Sequence, residues 1–350
     1  MKNNREMSKI PVTIISGFLG SGKTTLLNSI IKKYNDTRFA IIENEFGDIN
    51  IDAELVVGAD KGNVFELSNG CICCSMNDDL YATLEELLRI RSRFDRLLVE
   101  TTGIADPLTV IKAFIAAPEV ADNFDVDAVI CVVDAPIIEE LLEEQEEASR
   151  QLVMADVVIV NKVDCVTPGY LDSVKMVMSR VNPSASVFAT SFGNITNVDV
   201  LDIRAFTGRQ IEQATLKYAN VLPLKGLTKM GGFAAALASK ALMHDIQSYA
   251  FTYTGSFDFD KFSLWMESFF YFGGSKVFRV KGILSFANRS NRVIFHSVRG
   301  AFMFEEGDAW KNGEVRESRI VFIGKHIQKE EIGQALSMLL VKGDVACPKE

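Results

Sequence analysis

Short apolar runs alternate with stretches of helical spacing through the first half of the chain. "PVTIIS" reads as a buried strand, "GFLGSGKT" as a turn, and "TLLNSIIKKY" as an amphipathic helix. "FAIIE", "NVFEL", "RLLVE", "AVICVV" and "VVIV" read as further strands, with helix-like stretches in several of the gaps. "DDLYATLEELLRI" sets Leu80, Leu84, Leu87 and Leu88 at helical spacing. "IIEELLEEQEE" sets Ile137, Ile138, Leu141 and Leu142 on one face of a single helix with a solvated acidic face. Alternation of this kind predicts an α/β fold with a mainly parallel sheet covered on both faces.

The pattern changes after "ATSF", Ala189 to Phe192. Residues 206–245 mix helix signals with Gly231 and Gly232 and read as a connector. Beyond them "SYAFTYTG", "KVFRVKGILSFA", "RVIFHSVRGAFMFEE" and "SRIVFIG" each read as one strand, while "DFDKFSLWMESFFYF" and "KEEIGQALSMLLV" read as helices. That order predicts a smaller α+β domain with helices on one face of its sheet. The expected division is 1–205, 206–245 and 246–350. Phe251, Tyr253, Phe262, Trp265, Phe269 and Phe270 are expected in its core, and His296 is expected to be structural or solvent-facing.

Composition narrows the functional classes. A chain of 350 residues has room for two domains. Its net charge is −9 with no basic stripe, which argues against nucleic acid as the main partner. No apolar run is long enough to span a bilayer, and "MKNNREMSKI" lacks a signal-peptide core, so a cytoplasmic location without membrane attachment is expected. Thiols stay reduced there, which disfavours a structural disulfide.

The candidate chemistry sits in loops that follow strands. "GFLGSGKT", Gly17 to Thr24, matches G-x-x-x-x-G-K-[ST] between a strand and a helix. Gly17, Gly20 and Gly22 let backbone N–H groups turn inward, Lys23 neutralises phosphate, and Thr24 offers a hydroxyl to Mg²⁺. "NKVD" places Asn161, Lys162 and Asp164 at a strand end, a guanine-reading pattern. An Asp carboxylate accepts two N–H groups that adenine lacks. "ENEFGD" and "ETTGIADP" follow the strands ending at Glu43 and Glu100. Gly103 is placed to approach a γ-phosphate, Glu100 to reach Mg²⁺, and Glu43, Glu45 or Glu100 to orient the attacking water. "SNGCICCS" crowds Cys71, Cys73 and Cys74 into four positions. Three soft donors suit Zn²⁺; the alternatives are small buried hydrophobes or a redox pair.

In this order, "GFLGSGKTT", "ENEFG", "NGCICC", "ETTGIADP" and "NKVD" resemble the CobW-type GTPases, metal chaperones related to HypB and UreG. The resemblance covers about residues 10 to 195, with a weaker match to the family's C-terminal domain. It implies a P-loop GTPase that couples GTP hydrolysis to delivery of a metal, most often zinc, with Co²⁺ or Fe²⁺ open, to a metal-requiring client protein. Homodimerisation is left open. It carries phosphate roles onto Gly17 through Thr25, Ser21 included, base roles onto Asn161 and Asp164, and metal roles onto Cys71, Cys73, Cys74 and Glu43. A sensor that binds zinc or is oxidised under GTP control, without metal transfer, is the rival reading. A kinase is disfavoured by NKVD.

Overall fold

A computed structural model of the chain describes residues 9–43, 64–67, 76–205, 246–272, 276–298, 300–311 and 313–341. These fall in two compact units: Met1–Ile138 with Ala155–Thr167 and Val187–Arg204, and Glu139–Met154 with Pro168–Ser186 and Ala205–Glu350. No helix among the described residues is long and apolar enough to cross a membrane.

The first unit is built on a seven-stranded sheet. Its strands are β1 (Ile10–Gly17), β2 (Phe39–Glu43), β3 (Val64–Leu67), β4 (Arg96–Glu100), β5 (Phe124–Asp134), β6 (Val157–Asn161) and β7 (Ser186–Ala189), in the order β3-β2-β4-β1-β5-β6-β7. The ladders joining β3, β2, β4, β1, β5 and β6 are all parallel. The carboxyl ends of these six strands therefore lie along one edge, where open α/β sheets bind ligands.

Helix α1 (Lys23–Lys33) buries Leu26, Leu27 and Ile30 completely, in one cluster with Ile15, Phe39, Ile41, Leu98, Ile130, Val132 and Ile159. Each such aliphatic stabilises the fold by roughly 1.5–3 kcal/mol. Helix α2 (Met76–Arg89) buries Leu80, Leu84 and Leu87, as their spacing predicts. Helix α3 (Pro107–Ala116) has Asp106 as its N-cap, accepting from Leu108 N, and Pro107 in its first turn. Helix α4 (Pro118–Ala121) is a single turn.

The acidic stretch after β5 is two helices, not the single one its apolar spacing suggests: α5 (Ile138–Glu144) and α6 (Glu146–Met154), with Gln145 between them. Ile138, Leu141 and Leu142 are buried, whereas Ile137 is exposed. Helix α7 (Pro168–Val181) follows β6.

The second sheet is antiparallel throughout, in the order β11-β10-β9-β12-β8, with β8 (Ile246–Thr254), β9 (Val277–Leu284), β10 (Asn291–Val298), β11 (Ala301–Ala309) and β12 (Glu317–Lys325). "RVIFHSVRGAFMFEE" is a hairpin and not one strand. The chain reverses after Val298, which pairs with Ala301, and Gly300 takes φ +87°. Helices α8 (Phe259–Phe272) and α9 (Lys329–Met338) both pack on one face of this sheet, through Phe262, Met266, Ile332 and Leu336. Their partners Phe251, Tyr253, Val280, Phe295, Ile320 and Phe322 form the aromatic-rich core. Trp265, Phe269 and Phe270 pack against it partly buried. His296 is not solvent-facing but buried, 2 % exposed, beside Lys281 in the ladder.

Candidate functional site

Strand β1 ends in a glycine that nothing larger can replace. At Gly17, φ is +140° and a Cβ would lie 2.3 Å from Val132 O on the neighbouring strand. The chain then turns through Phe18 to Gly22, with Ser21 N bonded to Phe18 O. Gly22 is the left-handed N-cap of α1, and no side chain caps that end. The first N–H groups of α1 are therefore left for a ligand, and no acidic residue occupies the first turn to compete with an anion. Lys23 is 8 % exposed, with Nζ 3.4 Å from Phe18 O, curled over the loop it serves. The Ser21 hydroxyl is buried without a protein partner among the described residues.

Two acidic strand ends meet this cradle. Thr24 Oγ1 donates to Glu100 Oε1 at 2.9 Å. Glu43 and Glu100 are register partners at the ends of β2 and β4, 6 % and 9 % exposed. Two carboxylates beside a threonine hydroxyl are hard oxygen donors of the type that Mg²⁺ takes, with water completing its shell. The glycine after Glu100 also touches the cradle. A Cβ on Gly103 would sit 2.5 Å from Leu19 N, so only glycine allows this backbone approach.

The NKVD residues lie on the other side of β1. Asn161, 2 % exposed, donates from Nδ2 to Ser21 O at 2.9 Å and accepts from Gly193 N at 3.0 Å and Thr190 Oγ1 at 3.3 Å. It ties the phosphate loop, its own strand and the ATSF segment into one body. Asp164 lies in the exposed 3₁₀ turn Val163–Cys165. The Ser191 hydroxyl beside it holds its carboxyl below the usual range. Cys165 Sγ donates to the same carboxylate at 3.5 Å, and that bond pushes its thiol up.

The sequence from 11 to 189 matches the family model for the CobW/HypB/UreG nucleotide-binding domain, more than half of the chain. The chain belongs to the CobW/HypB/UreG family. Residues 246–340 match the cobalamin synthesis protein cobW C-terminal domain. Among curated relatives, the zinc chaperone YjiA of Escherichia coli strain K12 is 31 % identical over 337 residues, covering 95 % of this chain and 99 % of that protein. The zinc chaperone CobW of Pseudomonas aeruginosa is 36 % identical over 52 % of this chain and 56 % of its own length. The crystal structure of zinc-bound YjiA GTPase from E. coli superposes with a TM-score of 0.65 at 26 % identity, covering 96 % of this chain and all of that one.

Within this CobW-type frame the structure brings together Gly17, Gly20, Ser21, Gly22, Lys23, Thr24, Glu43, Glu100 and Gly103 at one stretch of the sheet edge, with Asn161, Lys162 and Asp164 beside them. Thr25 follows in α1. Glu45, Cys71, Cys73 and Cys74 lie outside the described residues. Reading the sequence missed Asp134, which ends β5 and holds Lys162 Nζ at 2.6 Å. Its signal was available: "VVD" ends a strand in the same way as "IIE" and "LVE". The anchoring roles of Thr190 and Gly193 carried no such signal.

Proposed function

We propose that this protein is a GTP-hydrolysing metallochaperone that takes a transition metal, zinc first, at Cys71, Cys73 and Cys74 and hands it to a client protein under nucleotide control. The observation that carries this reading is the adjacency of Glu43 and Glu100. Glu100 touches Thr24 at the phosphate cradle, whereas Glu43 is the last residue before the segment leading to the thiols. A change at the triphosphate is thereby one ladder step from the carboxylate assigned to the metal side. The names of the relatives YjiA and CobW support zinc as cargo.

In this reading the N–H groups at the start of α1 and Lys23 hold the β- and γ-phosphates. Thr24 and Glu100 would hold Mg²⁺, which would supply charge neutralisation on the phosphate oxygens. Gly103 brings a backbone N–H towards the γ-phosphate, and loss of that group on hydrolysis removes one tie on the ETTG loop. Glu43, Glu45 or Glu100 orients the water. Asp164 reads guanine N1–H and N2–H₂. The protein works in the cytoplasm, with the domain of residues 246–350 contacting the client.

Linkage makes the proposal testable, because nucleotide must change zinc affinity by the same factor that zinc changes nucleotide affinity. Calorimetric titration of zinc into the empty, GDP-loaded and GTP-analogue-loaded protein should give different affinities, about 5- to 150-fold apart for a typical coupling. The differences should vanish in the Cys73→Ser, Cys74→Ser variant. Equal zinc affinity in all three states would overturn the coupled carrier.

A further inference from the structure

Asp134 has no part in the motifs read from the sequence, yet it ends the strand beside Asn161. It is the last residue of β5, 5 % exposed, and the direct ladder partner of Asn161. Its Oδ2 takes the Lys162 ammonium at 2.6 Å. Its Oδ1 is buried with no hydrogen-bond partner among the described residues. Lys162 is the left-handed residue, φ 57°, from which the turn carrying Asp164 departs. Its side chain keeps 39 % of its surface exposed although its charged end is held. With its charged end held, the apolar stem is what remains of this side chain for a ligand to meet.

We propose that Asp134 is a positioning residue for nucleotide recognition, acting through Lys162. A free lysine stem carries rotamer entropy that ligand contact must overcome. With the ammonium anchored, the four carbons form a pre-set wall for one face of a purine ring. The same anchor pins the left-handed turn that aims the Asp164 carboxylate at the purine edge. The pairing has a second consequence. The Lys162 charge is answered within the protein, so it does not compete with Lys23 for phosphate. The inference rests on the assignment of GTP as substrate and adds a residue to it.

The test separates base from phosphate. GTP and inorganic tripolyphosphate affinities are measured for the wild type and for Asp134→Asn, Asp134→Glu, Lys162→Met and the Asp134→Asn, Lys162→Met double variant. Asp134→Asn should weaken GTP about 10-fold, roughly 1.4 kcal/mol, with the loss in KM and not kcat, and should leave tripolyphosphate binding unchanged. Asp134→Glu, which keeps the charge, should recover part of the loss. The double variant should be no worse than the stronger single, because both act on one unit. Additive losses, an equal loss for tripolyphosphate, or unchanged GTP affinity would each overturn the role of Asp134. If Asp134→Asn fails to fold, Lys162→Met carries the test, since its unanchored stem must show the same loss confined to GTP. Wild-type protein that binds tripolyphosphate but not GTP would instead remove the substrate assignment on which the inference stands.

Discussion

Gly22 and Asn161 constrain each other. A Cβ at Gly22 would lie 2.4 Å from Asn161 Nδ2, and φ there is +100°. Asn161 cannot retreat without giving up its bond to Ser21 O and, with it, the hold on the phosphate loop. Gly22→Ala should therefore cost about 1–3 kcal/mol in backbone strain alone and lower GTP affinity further as the loop loses its tie. Gly20→Ala is the control. Its φ is +74°, but a Cβ there meets nothing within 4 Å, so its cost is strain without collision. Thermal melts and GTP binding of the two variants check this; equal penalties would show that Asn161 does not limit the position. The placement of the glycines, Lys23 and Thr24 between β1 and α1, and of NKVD at the end of β6, was legible in the sequence because a fixed spacing stands between strand and helix patterns. Asn161 was read there as a base contact, but its three bonds to protein groups were not visible, since two of them reach residues 29 and 32 positions away.

Strand β4 begins with a charge that the pattern of apolar runs treats as a boundary marker. Arg96 is instead a buried anchor. Its guanidinium pairs with Asp127 at 3.1 Å and also with Asp202, and the Asp127 carboxylate accepts from Asp202 N at 2.8 Å and Arg204 N at 2.7 Å. These bonds fix the last described residues before position 206, where Asp202 and Arg204 both take positive φ. Removing one partner of a buried pair strands the other charge, so Arg96→Met should destabilise the protein by about 3–5 kcal/mol. Chemical denaturation measures it, and a loss under 1 kcal/mol would show that the pair behaves as an exposed one. Two of the apolar runs were read with correct ends: "FAIIE" and "RLLVE" are β2 and β4 residue for residue, whereas "AVICVV" is only the middle of β5. The β10–β11 hairpin was missed for a physical reason. The apolar alternation continues on both sides of the reversal between Val298 and Ala301, so the period never breaks. The α5–α6 break was missed likewise, because the apolar and acidic spacing runs on through Gln145.

The chain does not divide into two pieces at one cut. Helices α5, α6 and α7 stand in sequence between strands of the first sheet, yet they group with the second. Helix α6 is held at both ends there. Glu146 in its first turn meets Lys325 of β12 at 2.8 Å, and Lys325 and Arg150 keep that carboxyl below its usual range. At its other end Arg279 of β9, 1 % exposed, donates to Met154 O at 2.7 Å. Asn182 donates to Leu152 O and Val153 O, so three carbonyls at the helix terminus are answered by side chains. Only Ala155 and Asp156 separate this terminus from β6 and the NKVD residues, and Asp156 is itself fixed by Val129 N at 3.0 Å. A protease site introduced between 206 and 245 would therefore leave α6 covalently joined to the first sheet and bonded to the second. The two fragments should elute as one species in size-exclusion chromatography after cleavage. Arg279→Met strips the buried donor from Met154 O and should let the C-terminal fragment separate at lower denaturant than in the cleaved wild type. Fragments that part without denaturant would mean that the grip on α6 is too weak to hold the second sheet, and that the segment 206–245 alone joins it to the nucleotide site.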